Sequence, residues 1–262
     1  SEIGTEEQYS AYLDTIFPNS QEKDLLYHQS TTVFDKYDKN KASNRASKDL
    51  GYTFNFAKEG TRYNWKDYAF NQMIANQEDV IVKYDSQIED FVDAMRGDDN
   101  ISMIKMRLKI AGGSQNPVTK KEKELVKAHD NKVWKKIDAF VKKTGDLGLE
   151  LYYDIEKADA LGEEWADTDS AAHKKLITKY VKTLVFIGNI QNPYKTENFF
   201  LEGQEESGAD KQDDVMKKYD SILDENEDGQ IAIFKDENYL RLGSQQDIKG
   251  FKEFTSNFTS PK

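Results

Sequence analysis

The chain contains no cysteine. Disulfides, thiol nucleophiles, cysteine-ligated zinc and iron–sulfur clusters are therefore excluded, and burial must supply the stability. Only four prolines occur in 262 residues, which permits long uninterrupted helices. No run approaches the roughly 18 apolar residues that a membrane span needs. A Gly-x-Ser-x-Gly nucleophile elbow is absent, as are both glycine-rich phosphate loops and the His-Glu-x-x-His zinc pattern. Apolar residues make up 37% of the chain and charged residues 32%, so apolar seams should be narrow and polar faces wide.

What is present argues for a folded protein. Aromatic content is high, with 14 Phe and 14 Tyr, whereas disordered chains are poor in aromatics. The net charge of −11 disfavours nucleic acid as a partner, since such binding rests on neutralising phosphates. The charge is uneven: residues 117–145 carry nine Lys against four acids, and 197–230 carry twelve acids against three Lys. Such asymmetry can orient a partner. The chain begins at Ser1 without an initiator Met, which favours an extracellular or cell-envelope protein over a cytoplasmic one. On that reading, membrane attachment comes only through a removed N-terminal signal.

Helical spacing dominates the pattern. Thr5 to Gln8 forms a capping box ahead of Tyr9, Tyr12, Leu13, Ile16 and Phe17, and a second short helix is expected over 21–36. Tyr52, Phe54 and Phe56 alternate, with Tyr63 and Trp65 beyond Gly60, which predicts a two-stranded hairpin. Ile81, Tyr84, Ile88, Phe91 and Met95 lie on one stripe of a helix over 77–96. Ile101, Ile104 and Leu108 continue in the next. Pro117 and the box opened by Thr119 start a long helix to about Lys143, capped by Gly145. Further helices are expected over 146–165 and 170–190, the latter burying Leu176, Ile177, Tyr180, Leu184 and Ile187. Residues 230–234 and 239–242 alternate like short strands, and Phe251, Phe254 and Phe258 share one face of a terminal helix.

The fold expected is mainly α: an elongated up-and-down antiparallel bundle with one or two short hairpins. It is read as one domain over 1–262. The core bundle covers about 77–190, N-terminal helices and a hairpin cover 1–76, and an acidic linker with a C-terminal helix and hairpin covers 197–262.

Three groups of residues carry candidate chemistry. Asp224, Asn226 and Asp228 stand at positions 1, 3 and 5 of a calcium-loop pattern, with Gly229 at 6, Gln230 at 7 and Ile231 at 8. Position 12 holds Lys235, so calcium over 224–236 calls for Asp236 or Glu237 to replace it through a bulge, or for a weaker loop with a single carboxylate. Asp24 and Asp169 each precede a histidine, His28 and His173, by four residues. On a helix that spacing lets carboxylate and imidazole meet, and Glu163 and Glu164 lie near enough to thicken a metal-dependent hydrolase site around His173. Tyr52, Phe54, Tyr63 and Trp65 offer flat aromatic area for a protein partner or small ligand. The leading functional expectation is a non-enzymatic envelope or surface-exposed protein that binds a protein or other ligand. The alternative is a metal-dependent protein, either a calcium-stabilised binding module or that hydrolase.

Overall fold

The computed structural model describes residues 3–36, 54–58, 65–110, 117–197, 214–225 and 229–257. The chain divides into two compact units: residues 1–69 with 181–262, and residues 70–180.

The first unit is built on a seven-stranded sheet. Its strands are β1 (Leu26–Ser30), β2 (Phe54–Ala57), β3 (Lys182–Gly188), β4 (Pro193–Thr196), β5 (Ser221–Asp224), β6 (Gln230–Ile233) and β7 (Tyr239–Arg241). They lie in the order β4-β5-β6-β2-β1-β3-β7. β4 and β5 run parallel, and every other neighbouring pair is antiparallel. Register sets Leu26 opposite Phe186 and Phe56 opposite Ile231. Because side chains alternate across a sheet, Leu26, Phe56, Leu184, Phe186, Ile231 and Ile233 share one core with Ile190 and Tyr239. Ile222, Ala232 and Phe234 join Val215 in a second cluster. Among these side chains Leu26, Phe186, Ile190, Ile222, Ile231 and Ile233 are sealed from solvent. Each contributes about 1.5–3 kcal/mol of burial.

Two helices of this unit pack together. In α1 (Glu6–Ile16) the Thr5 hydroxyl accepts the Gln8 N–H while the Gln8 side chain accepts the Thr5 N–H, the expected box. α9, the C-terminal helix (Gln245–Asn257), packs aromatic residues against it: Phe251 lies 4.9 Å from Tyr9 and 5.5 Å from Tyr12, and Phe254 lies 5.7 Å from Tyr12.

The second unit is helical. α2 (Trp65–Ala75) leads into it, followed by α3 (Gln77–Lys83), α4 (Asp85–Arg96), α5 (Asp99–Lys109), α6 (Lys120–Thr144), α7 (Leu147–Leu161) and α8 (Ala171–Tyr180). Ile88, Val133, Ile137, Val141, Leu149 and Tyr153 form its principal core. Thr119 caps α6 with a reciprocal box to Glu122, and Gly145 ends it in the left-handed conformation at φ 64°. Among the described residues no helix is long and apolar enough to cross a membrane.

The seven-stranded sheet overturns the expected mainly α bundle: the fold is mixed α/β. Two segments read as helix are strands. The stretch over 21–36 holds β1, and the helix expected to reach residue 190 stops at Tyr180, after which β3 begins. Its spacing fits both templates, but Leu184 to Ile187 is an unbroken apolar run, and its side chains alternate between two buried sides. Such a run is the mark of a doubly covered strand. The single helix expected over 77–96 breaks at Tyr84, whose φ of −117° interrupts helical geometry. The hairpin expected over 51–65 is also replaced, because β2 pairs with β1 and β6 and Trp65 begins α2.

Candidate functional site

The acidic loop takes the form of a hairpin connection. β5 ends at Asp224 and β6 begins at Gln230, so no second helix follows as an EF-hand requires. Leu223 pairs with Ile231, and continuing that register sets Asp224 opposite Gln230. Gln230 is buried, and its Oε1 has no hydrogen-bond partner among the described residues. Asn226, Asp228 and the side chain of Asp236 lie outside the described residues. Among those described, no cluster of three His, Asp or Glu side chains is arranged to hold a metal.

His173 is 3% exposed on α8. Its Nδ1 lies 2.8 Å from the Trp165 carbonyl oxygen, which can only accept, so Nδ1 carries the proton. The ring meets Phe70 edge-on at 5.3 Å. Ser170 caps α8 by accepting the His173 N–H, and the Trp165 indole donates to Asp159 at 2.6 Å. Glu163 and Glu164 are exposed. These bonds describe an interhelical connection pinned by a buried imidazole. His28 lies on β1 rather than a helix, so the spacing that was to bring Asp24 to its ring does not apply. Asp24 lies 3.8 Å from Lys58. Of the aromatic group, Tyr52 and Tyr63 lie outside the described residues, as do the side chains of Phe54 and Trp65.

A different site emerges where α1 meets the start of α9. Gly243, at φ 75°, turns the chain from β7 into α9, a conformation that favours glycine. Ser244 then caps the helix, its hydroxyl accepting the Asp247 N–H at 3.1 Å. Asp247 reaches back, and its Oδ2 accepts both the Gly243 N–H and the Tyr9 hydroxyl at 2.7 Å. Tyr12 donates to the Asp247 carbonyl at 3.2 Å. Burial is the main cause that pushes both phenols above their ordinary range, Tyr12 to about 12, with Asp247 adding to it. Both rings therefore hold their protons and act as donors.

The helix cap accounts for one oxygen of Asp247 only. The residue is 2% exposed, and its Oδ1 is buried with no hydrogen-bond partner. Of the cations close in sequence, Arg241 pairs with Asp35 at 2.5 Å and Lys249 with Glu253 at 3.9 Å. Asp247 lines a cavity of about 410 Å³ together with Ile3, Gly4, Tyr9, Gly243, Ile248 and Phe251. The lining is mostly apolar and aromatic, and the cavity falls at the small end of ligand-sized pockets.

No family model, curated protein or solved structure matches this chain.

One signal for the site lay in the sequence. Asp247 precedes Phe251 by four residues, which places an acid on the apolar face of an amphipathic helix. The Tyr9 contact from the far end of the chain had no local trace.

Proposed function

We propose that this chain is a non-enzymatic binding protein that holds a small ligand in the cavity between α1 and α9. The observation carrying this reading is the cavity of about 410 Å³, lined by Ile3, Tyr9, Asp247, Ile248 and Phe251. The surroundings favour binding over catalysis, because the phenols that contact Asp247 are strongly held donors rather than bases. The test is a fragment screen by NMR on labelled protein. Binding should move the amide signals of Gly4, Tyr9, Gly243, Ile248 and Phe251 together. If no fragment at millimolar concentration moves that group, the reading is wrong. The extracellular or envelope placement belongs to the same proposal, and fractionation of the source cells tests it.

Calcium at the β5–β6 connection is a second, separate reading, favoured by the unpaired Oε1 of Gln230 opposite Asp224. A cation bound only by the folded state raises the melting temperature. Equal melting with calcium and with EDTA would dismiss it.

A further inference from the structure

We infer that the outward face of α6 is a docking surface for a linear polyanion, a polymer that carries phosphate or sulfate groups along its length. The inference concerns the helical unit and does not depend on the cavity. α6 holds nine lysines and four acids in 25 residues. Lys121, Lys132, Lys136 and Lys143 fall in one row along the helix, and Lys135 and Lys142 flank it. All six are exposed, while Val126, Val133, Ile137 and Val141 bury the opposite side. The row runs for about 33 Å at the helical rise of about 1.5 Å per residue.

The acids of α6 leave this row uncompensated. Glu122 pairs with Arg107, Asp130 with Lys105 and Glu124 with Lys120. Among the described residues none of the six lysines makes an ion pair. Lys132 stands three positions from Lys135 and four from Lys136, where like charges on a helix repel. A polyanion laid along the row removes that repulsion and gains from the counterions it releases. The whole chain has a net charge of −11, so this face is opposite in sign to the molecule and orients an anionic polymer as it approaches.

The form of the face selects among anions. Its charges are spread along a rod rather than gathered at one point, so an extended chain meets more of them than a single phosphate does. A membrane surface is disfavoured. An interfacial helix inserts bulky apolar side chains, and besides lysine this row holds only Leu125, Ala128 and Ala139. Single-stranded nucleic acid is held by aromatic rings on which its bases stack. The two aromatics of α6 are engaged elsewhere: Lys157 of α7 lies 5.7 Å from the Trp134 ring, and Phe140 packs at 5.5 Å against Phe91 of α4.

The experiment titrates the whole protein into fluorescently labelled polyphosphate and dextran sulfate at about 50 mM salt and reads anisotropy. Both should bind, with the logarithm of affinity falling against that of salt at a slope of about −4 for six neutralised charges. The tighter polymer gives the anionic group, and equal binding assigns the row to charge density alone. Lys132→Glu, Lys136→Glu and Lys143→Glu together should weaken binding by at least about 30-fold and bring the slope to about −2. Lys132→Gln, Lys136→Gln and Lys143→Gln add no new charge and should weaken it less, in the same direction. Lysine, glutamate and glutamine are similar helix formers, so circular dichroism should be unchanged in both variants. Lys175→Glu, Lys217→Glu and Lys252→Glu make the same change in net charge at other exposed positions, and should weaken binding by less than about threefold. Equal losses in the two glutamate variants would reduce the effect to net charge and overturn the assignment to α6. Absence of binding would overturn it too. So would tighter binding to a short duplex DNA, or to vesicles of equal parts phosphatidylserine and phosphatidylcholine, than to either polymer.

Discussion

Asp247 concentrates several opposing demands in one side chain. It closes a helix N-terminus, accepts a phenol from the other end of the chain and keeps one oxygen without a donor. Tyr9→Phe leaves the buried carboxylate with a single donor, and should cost about 1–3 kcal/mol in urea unfolding. Unchanged stability would mean that the Tyr9 bond contributes nothing. Gly250 offers a sharper contrast. A methyl group there would run into the Tyr12 hydroxyl and ring, so Gly250→Ala should destabilise by about 1–2 kcal/mol. Ordinary helix propensity argues for a gain instead, since alanine is the better helix former. Melting of the single variant decides between packing and propensity. The phenols also set an alkaline limit. Tyr12 keeps its proton to about 12 in the fold, whereas a free phenol titrates near 10. A folded pKa raised in this way contributes stability that is complete below about pH 10 and is lost as pH rises towards 12. Unfolding and phenolate absorbance should therefore rise together in that window.

At the level of elements, local signals were legible and distant ones were not. The capping boxes at Thr5 and Thr119 and the stop at Gly145 stand where the sequence placed them, because each depends on residues a few positions apart. The strand character of residues 230–233 and 239–241 was likewise visible in alternation. β1 and β3 escaped because their apolar positions fit a helical template as well as a strand. Only their pairing, Leu26 on Phe186 and His28 on Leu184, selects the strand. The same limit hid the cavity, whose walls come from residues 3–9 and 243–251. Phe186, sealed in the sheet core, tests the corrected assignment. Phe186→Ala should cost about 3–5 kcal/mol by urea unfolding. A cost below 1 kcal/mol would be the mark of an exposed helical position.

At the level of the whole molecule, the helical unit is inserted between β2 and β3 of the sheet unit. Its contacts are mostly between sequential helices, while the sheet joins strands from either side of the insertion. Local contacts close cheaply and distant ones slowly. In pulse-labelled hydrogen exchange during refolding, amides of α6 and α7 should gain protection before those of β1 and β3. Simultaneous protection would show the two units folding as one.

The strand order also bears on synthesis. β1 and β2 lie at the centre of the finished sheet, yet they leave the ribosome before the whole helical unit and before both of their outer partners, β3 and β6. Until those arrive, a nascent chain holds two short strands with open hydrogen-bonding edges, the kind of surface that recruits neighbouring chains. Translation stalled within the helical unit would release a product whose helices can pack and whose sheet cannot. Chaperone demand during production of this protein should therefore fall on the N-terminal strands.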